Sequence, residues 1–190
     1  MKIVLASASP RRKELLEMLG VEHLTVLPAK GEEKAALSRG PAEYVMDLAE
    51  AKAREAAAQA EEEDVVIGAD TIVWFEGRVF GKPHSREQAV SMLGELSGRT
   101  HTVYTGVCVI RGGRCLRDVE QTRVHFRPID PEEIRRYVDS GEPMDKAGAY
   151  GAQGRGAIFV QGIEGDFFNV MGLPLRLLDA MLKRQGVNIL

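Results

Sequence analysis

Residues 3–12 carry the sequence Ile-Val-Leu-Ala-Ser-Ala-Ser-Pro-Arg-Arg, in which a short apolar run is followed at once by small polar residues and two arginines. The apolar run predicts a buried strand over residues 2–6, and proline is favoured at the first position of a helix. Leucines then recur at helical spacing until Gly20. This stretch therefore predicts a strand, a turn and a helix in direct succession.

The two arginines stand at the unfavourable end of the predicted helix. Arg11 and Arg12 fall in its first turn, where free N–H groups already carry partial positive charge. A bound anion would relieve the repulsion, and the hydroxyls of Ser7 and Ser9 would add donors, with Ser9 also placed as a helix N-cap. The segment predicts a phosphate site, although a solvated helix start with mobile arginines would need no ligand.

The rest of the chain mixes helical and strand-like segments. Helices are predicted over 41–62, 85–96 and 130–141 and from Pro174, and strands over 64–70, 71–75, 102–111, 114–126, 157–163 and 167–170. The glycine-dense residues 145–156 are predicted to form a loop whose backbone approaches a ligand or another strand. Because hairpins occur together with crossover-type strands, the pattern indicates a mixed α/β fold and not a purely doubly wound sheet.

Composition excludes several classes of protein. A chain of 190 residues with 44% hydrophobic and 28% charged side chains is typical of a globular protein and not of a disordered one. The formal net charge of −3 disfavours a general polyanion binder, so no nucleic-acid partner is expected. The first apolar run is too short for a signal peptide or a membrane span, so we expect no membrane association and a cytoplasmic location.

Cysteine and histidine positions do not indicate a disulfide or a soft-metal site. Cys108 and Cys115 flank a predicted two-residue turn at Gly112-Gly113, which would pair Ile110 with Cys115 and leave Cys108 out of register. Two reduced thiols are therefore expected. The four histidines are scattered without the spacing of metal ligands.

Two lysines and one aspartate form a second candidate group. Lys52 falls on the apolar stripe of the 41–62 helix, where a buried ammonium needs a counter-charge, unless its side chain snorkels at the edge of that face. Lys82 follows shortly after the hairpin that begins beyond Asp70. Asp70 ends an apolar strand, where carboxylates commonly face a ligand crevice, although such an aspartate often serves only as a turn cap.

Glu32 and Glu33 supply a further acidic pair in a predicted loop. One carboxylate from this pair, together with Asp70, would suit Mg²⁺, which takes few protein oxygens and bridges to substrate phosphates. The sequence has no P-loop, no Gly-x-Gly-x-x-Gly after a strand and no Gly-x-Ser-x-Gly elbow. These absences argue against a P-loop nucleotide-binding protein, a dinucleotide-binding protein and an α/β-hydrolase.

Six segments, taken together, resemble the Maf family: residues 6–12, 68–71, 81–83, 96–101, 145–151 and 172–174. The resemblance extends over essentially the whole chain, so residues 1–190 are expected to form a single Maf-like domain. It implies an α/β fold with a mixed, elongated β-sheet flanked by helices, in two lobes with a central cleft, as in Maf and ITPase proteins. It also implies a homodimer.

The resemblance further implies roles for individual residues. Asp70 would be the catalytic proton acceptor, and Glu33 with Asp70 would hold a divalent cation, Mg²⁺ or Mn²⁺. Besides Ser7, the implied phosphate-binding residues are Ser9, Arg11, Arg12, Lys52 and Lys82. Substrate choice is linked to Arg12, Thr71 and Gln153.

The segment 148–154 resembles the branch of the family that acts on dTTP and UTP, apart from alanine at position 152, where a branched residue is common. A glutamine amide at position 153 matches the acceptor–donor edge of uracil or thymine. The implied reaction is hydrolysis of a nucleoside triphosphate to the monophosphate and pyrophosphate, which cleanses the nucleotide pool, including modified pyrimidine nucleotides. The alternative is a nucleotide-binding regulator of septum formation that does not hydrolyse its ligand.

Overall fold

Seven strands and six α-helices occur in the part of the chain described by a computed structural model, residues 1–21, 23–30 and 35–189. The strands are β1 (Ile3–Leu5), β2 (Leu24–Val26), β3 (Val65–Phe75), β4 (Arg78–Phe80), β5 (Thr100–Arg111), β6 (Arg114–Phe126) and β7 (Val160–Glu164). The helices are α1 (Pro10–Met18), α2 (Pro41–Ala57), α3 (Arg86–Leu96), α4 (Pro131–Asp139), α5 (Phe167–Met171) and α6 (Leu175–Arg184). Within these described ranges, no helix combines the length and apolar character that a membrane span requires.

The strands form one mixed sheet in the order β2-β1-β3-β5-β6-β7, with β4 paired to β3. Strand β1 runs parallel to both β2 and β3, with Leu5 opposite Val26 on one side and Ile67 on the other. Strands β4 and β7 run antiparallel to β3 and β6, respectively. The mixed α/β fold predicted from the sequence is therefore confirmed.

The chain divides into two compact units, each with its own core. Unit 1 comprises Met1–Asp70, Thr105–Glu120 and Gly172–Leu190, and unit 2 comprises Thr71–Tyr104 and Gln121–Met171. Strands β3, β5 and β6 contribute residues to both units.

The core of unit 1 depends on a close approach between α2 and β3. Alanines of α2, including Ala49 and Ala53, pack in one apolar cluster with residues of the strands, such as Val66 of β3. A Cβ added at Gly68 would lie 2.8 Å from the Ala53 Cβ and closer still to the Ala49 carbonyl oxygen. The helix therefore meets the strand at a distance that only glycine permits at this position.

The core of unit 2 surrounds a buried histidine. His101 is only 2% exposed, and its Nε2 lies 2.8 Å from the Tyr150 hydroxyl. The ring also packs edge-on against Phe126, with the centroids 4.9 Å apart. Burial, with a smaller contribution from the charge of His125, lowers the pKa of His101 to about 3, so its ring is neutral at physiological pH.

Two predicted strands near the carboxyl terminus are not where the sequence placed them. The predicted strand over 167–170 is wrong, because Phe167–Met171 is α5, and the Asp166 carboxylate accepts the Phe168 N–H at 2.8 Å. The predicted strand over 157–163 begins late, because Arg155–Phe159 is a 3-10 turn that precedes β7. Both errors arise because short apolar runs suit strands and buried helical turns equally well.

Other boundaries also differ from prediction. Helix α2 ends at Ala57 and not at residue 62, strand β3 continues unbroken through residues 70 and 71, and β2 was not predicted. Cys108 and Cys115 are both reduced, as expected, although their sulfurs lie 3.4 Å apart.

Replacing Gly68 with alanine should lower the free energy of unfolding by about 1–3 kcal/mol, because α2 must move to admit the new methyl group. The matched control is Gly94→Ala in α3, where an added Cβ meets no other described atom within 4 Å. Removing a helical glycine there should raise stability by about 0.4–1 kcal/mol. Urea unfolding followed by circular dichroism measures both, and equal effects would contradict the close approach.

Lowering the pH should destabilise the fold through His101. Unfolded His101 takes up a proton near pH 6.5 and folded His101 only near pH 3, so its contribution is complete above pH 6.5 and is lost as the pH falls toward 3. In urea unfolding between pH 4 and 6.5, His101→Gln should reduce the dependence of stability on pH by up to about 1.4 kcal/mol per pH unit. Identical slopes for the two proteins would show that His101 does not carry this dependence.

Candidate active site

The predicted strand, turn and helix are present in unit 1 as β1, residues 6–9 and α1. Ser9 occupies the N-cap position with an extended backbone, and the first turn of α1 consists of Pro10, Arg11, Arg12 and Lys13. Contrary to expectation, the Ser9 side chain makes no capping hydrogen bond to the described residues of α1. The Ser7 hydroxyl instead accepts the Ser9 N–H at 3.2 Å. The helix start thus gathers basic side chains at its own positive end.

Arg12 is held in place by protein acceptors. Its side chain is nearly buried, with the residue 9% exposed, and its Nε donates to the Gly172 carbonyl at 2.8 Å. One terminal nitrogen donates to the Ser7 hydroxyl at 3.0 Å. Arg12 therefore ties the start of α1 to the loop before α6, while its neighbour Arg11 is more exposed.

Lys52 and Asp70 form an ion pair in unit 1. The Lys52 Nζ lies 2.5 Å from the Asp70 Oδ1, and the two side chains are only 17% and 12% exposed. Asp70 follows Gly68 by two residues and so shares its face of β3, against which α2 packs. This confirms that the lysine on the apolar stripe of α2 has a counter-charge and identifies it as Asp70.

The turn after β1 and Asp70 occupy neighbouring positions on paired strands. Leu5 stands opposite Ile67, and the Ala6 N–H donates to the Ile67 carbonyl at 2.8 Å. Ser7 comes two residues after Leu5, and Asp70 comes three residues after Ile67. The basic start of α1 and the ion pair therefore lie beside neighbouring parallel strands of the sheet.

The other predicted site residues are assigned to unit 2 or lie outside the described residues. Thr71, Lys82 and Gln153 belong to unit 2, where Thr71 is half-buried in β3 and the other two are exposed. Glu33 lies outside the described residues. The roles assigned to all of these residues stay predictions.

The carboxylate of Asp70 suits a hard divalent cation. No group of three or more His, Cys, Asp or Glu side chains within residues 1–21, 23–30 and 35–189 is placed to hold a metal ion. Mg²⁺ needs no such group, because it uses one or two carboxylates and completes its shell with water and substrate phosphates. The oxygen chemistry of Asp70 is compatible with Mg²⁺ or Mn²⁺, and its role as a metal ligand stays a prediction.

Glu142 contacts the segment of Gln153 and is not among the residues predicted from the sequence. The Glu142 carboxylate accepts the backbone N–H groups of Arg155 and Gly156, which follow Gln153 in the chain. The glycine density of residues 145–156 is the one sequence signal for this contact, and it predicts only a close approach to a ligand or another strand.

The chain matches known proteins over almost its full length. A family profile described as "Maf-like protein" matches residues 2–185. A protein of Moorella thermoacetica named "dTTP/UTP pyrophosphatase" is 53% identical over 190 residues, which cover 99% of this chain and 97% of that protein. One of the same name from Pelotomaculum thermopropionicum is 50% identical and covers 100% of this chain and 99% of its own length.

Solved structures with the same fold are much more distant in sequence. A HAM1 protein from Coxiella burnetii has a TM-score of 0.54 at 18% identity, covering 97% of this chain and 99% of its own. The Ham1 protein of Staphylococcus aureus has a TM-score of 0.52 at 14% identity, with coverage of 97% and 100%. At these identities the likeness supports the fold alone.

The two serines of the turn should differ in their effect on stability. Ser7→Ala removes the acceptor of Arg12 and of the Ser9 N–H and should lower the free energy of unfolding by about 1–3 kcal/mol. Ser9→Ala removes no capping hydrogen bond and should change it by less than about 0.5 kcal/mol. Urea unfolding of the two variants tests this, and a larger loss for Ser9→Ala would contradict the geometry.

Proposed function

The chain belongs to the Maf family, and on that premise we propose that it is a nucleoside triphosphate pyrophosphatase that hydrolyses dTTP and UTP to the monophosphate and pyrophosphate. The observation that carries the proposal is the Lys52–Asp70 pair. Asp70 lies on β3, next to β1, the strand that leads into the basic start of α1. The names of relatives that are about half identical in sequence support the same substrates.

The triphosphate would bind where positive charge is concentrated. The first-turn N–H groups of α1 and the charges of Arg11 and Arg12 are proposed to bind phosphate oxygens at the positive end of the helix. The ammonium of Lys52 adds a cation at Asp70, and Lys82 is proposed as a further phosphate ligand. The Ser9 hydroxyl makes no capping hydrogen bond to α1, and it is proposed as a further phosphate ligand.

Asp70 is proposed as the proton acceptor. A water molecule attacks the α-phosphorus, its proton passes to the Asp70 carboxylate, and the bond from the α-phosphorus to the bridging oxygen breaks. Pyrophosphate leaves with the bonding electrons. Lys52 holds the carboxylate in place through its contact with Oδ1. A divalent cation, Mg²⁺ or Mn²⁺, held by Asp70 with Glu33, would neutralise charge on the phosphate oxygens when bound.

Base choice is assigned to Gln153, with Arg12 and Thr71. The exposed amide of Gln153 can donate one hydrogen bond and accept another, as the edge of uracil or thymine requires. The proposal includes a role in cleansing the nucleotide pool, modified pyrimidines among its substrates, a cytoplasmic location and a homodimer. It includes no nucleic-acid or membrane partner.

A nucleotide-binding regulator of septum formation that does not hydrolyse its ligand is the alternative. Such a protein needs cations for the phosphates, but it has no need of a proton acceptor beside them. The Lys52–Asp70 pair therefore favours the enzyme.

Pyrophosphate release from dTTP and UTP, with Mg²⁺ or Mn²⁺, should exceed release from purine nucleotides. Asp70→Asn should lower kcat by about 100-fold or more, because the amide cannot take up the proton. The matched control is Asp179→Asn on α6, which loses only an exposed pair with Lys183 and should retain activity. Undiminished pyrophosphate release by folded Asp70→Asn would refute the assignment, and orthophosphate as the sole product would refute the bond that is broken.

A further inference from the structure

One carboxylate in unit 2 accepts three hydrogen bonds, two of them from the segment that carries Gln153. Glu142 stands in the short 3-10 turn Glu142–Asp145 that follows α4. Its Oε2 accepts the Arg155 N–H at 3.0 Å, and its Oε1 accepts the Gly156 N–H at 3.2 Å. Oε1 also accepts the Tyr137 hydroxyl at 2.9 Å. The carboxylate thus fastens the chain just after Gln153.

Tyr137 fastens the same segment on its other side. The Tyr137 hydroxyl donates to Glu142 and also accepts the Gly151 N–H at 3.1 Å. Tyr137 is 6% exposed, and its ring packs edge-on against Phe159, with the centroids 5.0 Å apart. A rigidly packed side chain therefore holds Gly151, two residues before Gln153, while its partner Glu142 holds Arg155, two residues after it.

The glycines of the segment let its backbone reach these side chains. A Cβ at Gly154 would lie 2.5 Å from Oε1 of Glu142, and a Cβ at Gly156 would lie 2.7 Å from the Tyr137 hydroxyl. A Cβ at Gly151 would lie 2.7 Å from Cε of Lys146. The glycine density predicted a close backbone approach, and the structure shows that the segment approaches side chains of its own unit.

The charge of Glu142 is stabilised at its position. Burial by itself would raise the pKa of Glu142, but the N–H groups of Arg155 and Gly156 outweigh it, together with the Tyr137 hydroxyl and the charge of Lys146. The pKa therefore lies below its ordinary value, and the carboxylate is ionised at neutral pH. Hydrogen bonds to an ionised acceptor are about twice as strong as neutral ones, which suits a clamp on a glycine-rich segment.

We propose that Glu142 and Tyr137 are positioning residues that determine base selectivity by holding Gln153 in the conformation that reads a uracil or thymine ring. The inference rests on the proposed function, in which Gln153 recognises the base. Gln153 itself is exposed, and a side chain on an untethered glycine-rich segment would lose conformational freedom on binding. Fixing the backbone on both sides removes much of that loss before the nucleotide arrives.

The charge and the two oxygens of Glu142 are both required for this role. A glutamine at position 142 has one acceptor oxygen, so its NH₂ group would face either the Arg155 N–H or the N–H of Gly156 and the Tyr137 hydroxyl. One flank of Gln153 is then released while the volume of the side chain is retained. Tyr137→Phe removes the hydroxyl that holds Gly151 and keeps the ring against Phe159.

The test is pyrophosphate release by Glu142→Gln and Tyr137→Phe with dTTP, UTP, dCTP and dATP. For dTTP and UTP, kcat/KM should fall about tenfold, mainly through KM, because the reading of the base is lost and the chemistry is not. For dCTP and dATP, kcat/KM should stay within about twofold of the original value, since Gln153 does not match their base edges. The selectivity ratio therefore falls, which a general loss of folded protein would not produce.

Controls separate this inference from the function on which it rests. Glu132 of α4 has a side chain that is 59% exposed and pairs with Arg135. Glu132→Gln should leave kcat/KM for all four nucleotides unchanged. Gln153→Ala should abolish the selectivity. If Gln153→Ala does so but both positioning variants retain it, or lose activity equally on all substrates, the inference is overturned and the function stands. A wild-type protein without preference for dTTP and UTP overturns both, and Tyr137→Phe carries the test if Glu142→Gln does not fold.

Discussion

Helix α2 lies against β3 because residue 68 has no side chain, and the candidate active site depends on that contact. A methyl group at Gly68 would collide with the Ala49 carbonyl and with Ala53. Lys52 precedes Ala53 on the helix, and Asp70 follows Gly68 on the same face of the strand. The packing that forms the core of unit 1 therefore also brings the Lys52 ammonium within 2.5 Å of the Asp70 carboxylate. The core of unit 1 and the Lys52–Asp70 pair both depend on the close approach of α2 to Gly68.

The two adjacent arginines at the start of α1 differ in burial. Arg12 donates to the Gly172 carbonyl and the Ser7 hydroxyl, and these bonds anchor the helix start. Arg11 is more exposed at the same positive end of α1. Adjacent arginines thus have different surroundings, because successive residues of a helix point about 100° apart. The anchored side chain of Arg12 holds the start of α1, where the phosphate site is proposed, in one position.

Unit 2 uses the opposite arrangement, in which a carboxylate collects backbone N–H donors. Glu142 binds the segment around Gln153 in much the way that an anion binds a nest of amides, and glycines allow the approach. The buried ring of Tyr137 supports the carboxylate, and the neutral His101 belongs to the same aromatic core. On the proposed function, selectivity in this protein would then depend on contacts several residues away from the base.

The sequence by itself determined the features whose causes are local. The strand, turn and helix at residues 3–18, the proline-led helix starts and the need of Lys52 for a counter-charge follow from periodicity, from backbone N–H groups and from the cost of burying charge. The resemblance to the Maf family rests on short segments that can be compared residue by residue. None of these inferences requires knowing which distant residues meet.

Only the tertiary structure decided which partners satisfy those demands. Asp70 is 18 residues from Lys52, and Gly172 is 160 residues from Arg12, so no local pattern joins them. The same holds for α5, where residues 167–170 have strand-like composition but lie in a helical turn capped by Asp166. The hydrogen bonds that Glu142 accepts from Arg155 and Gly156 could not be predicted for a related reason. A carboxylate in a turn has no periodicity, and its role appears only when the fold brings backbone donors to its oxygens.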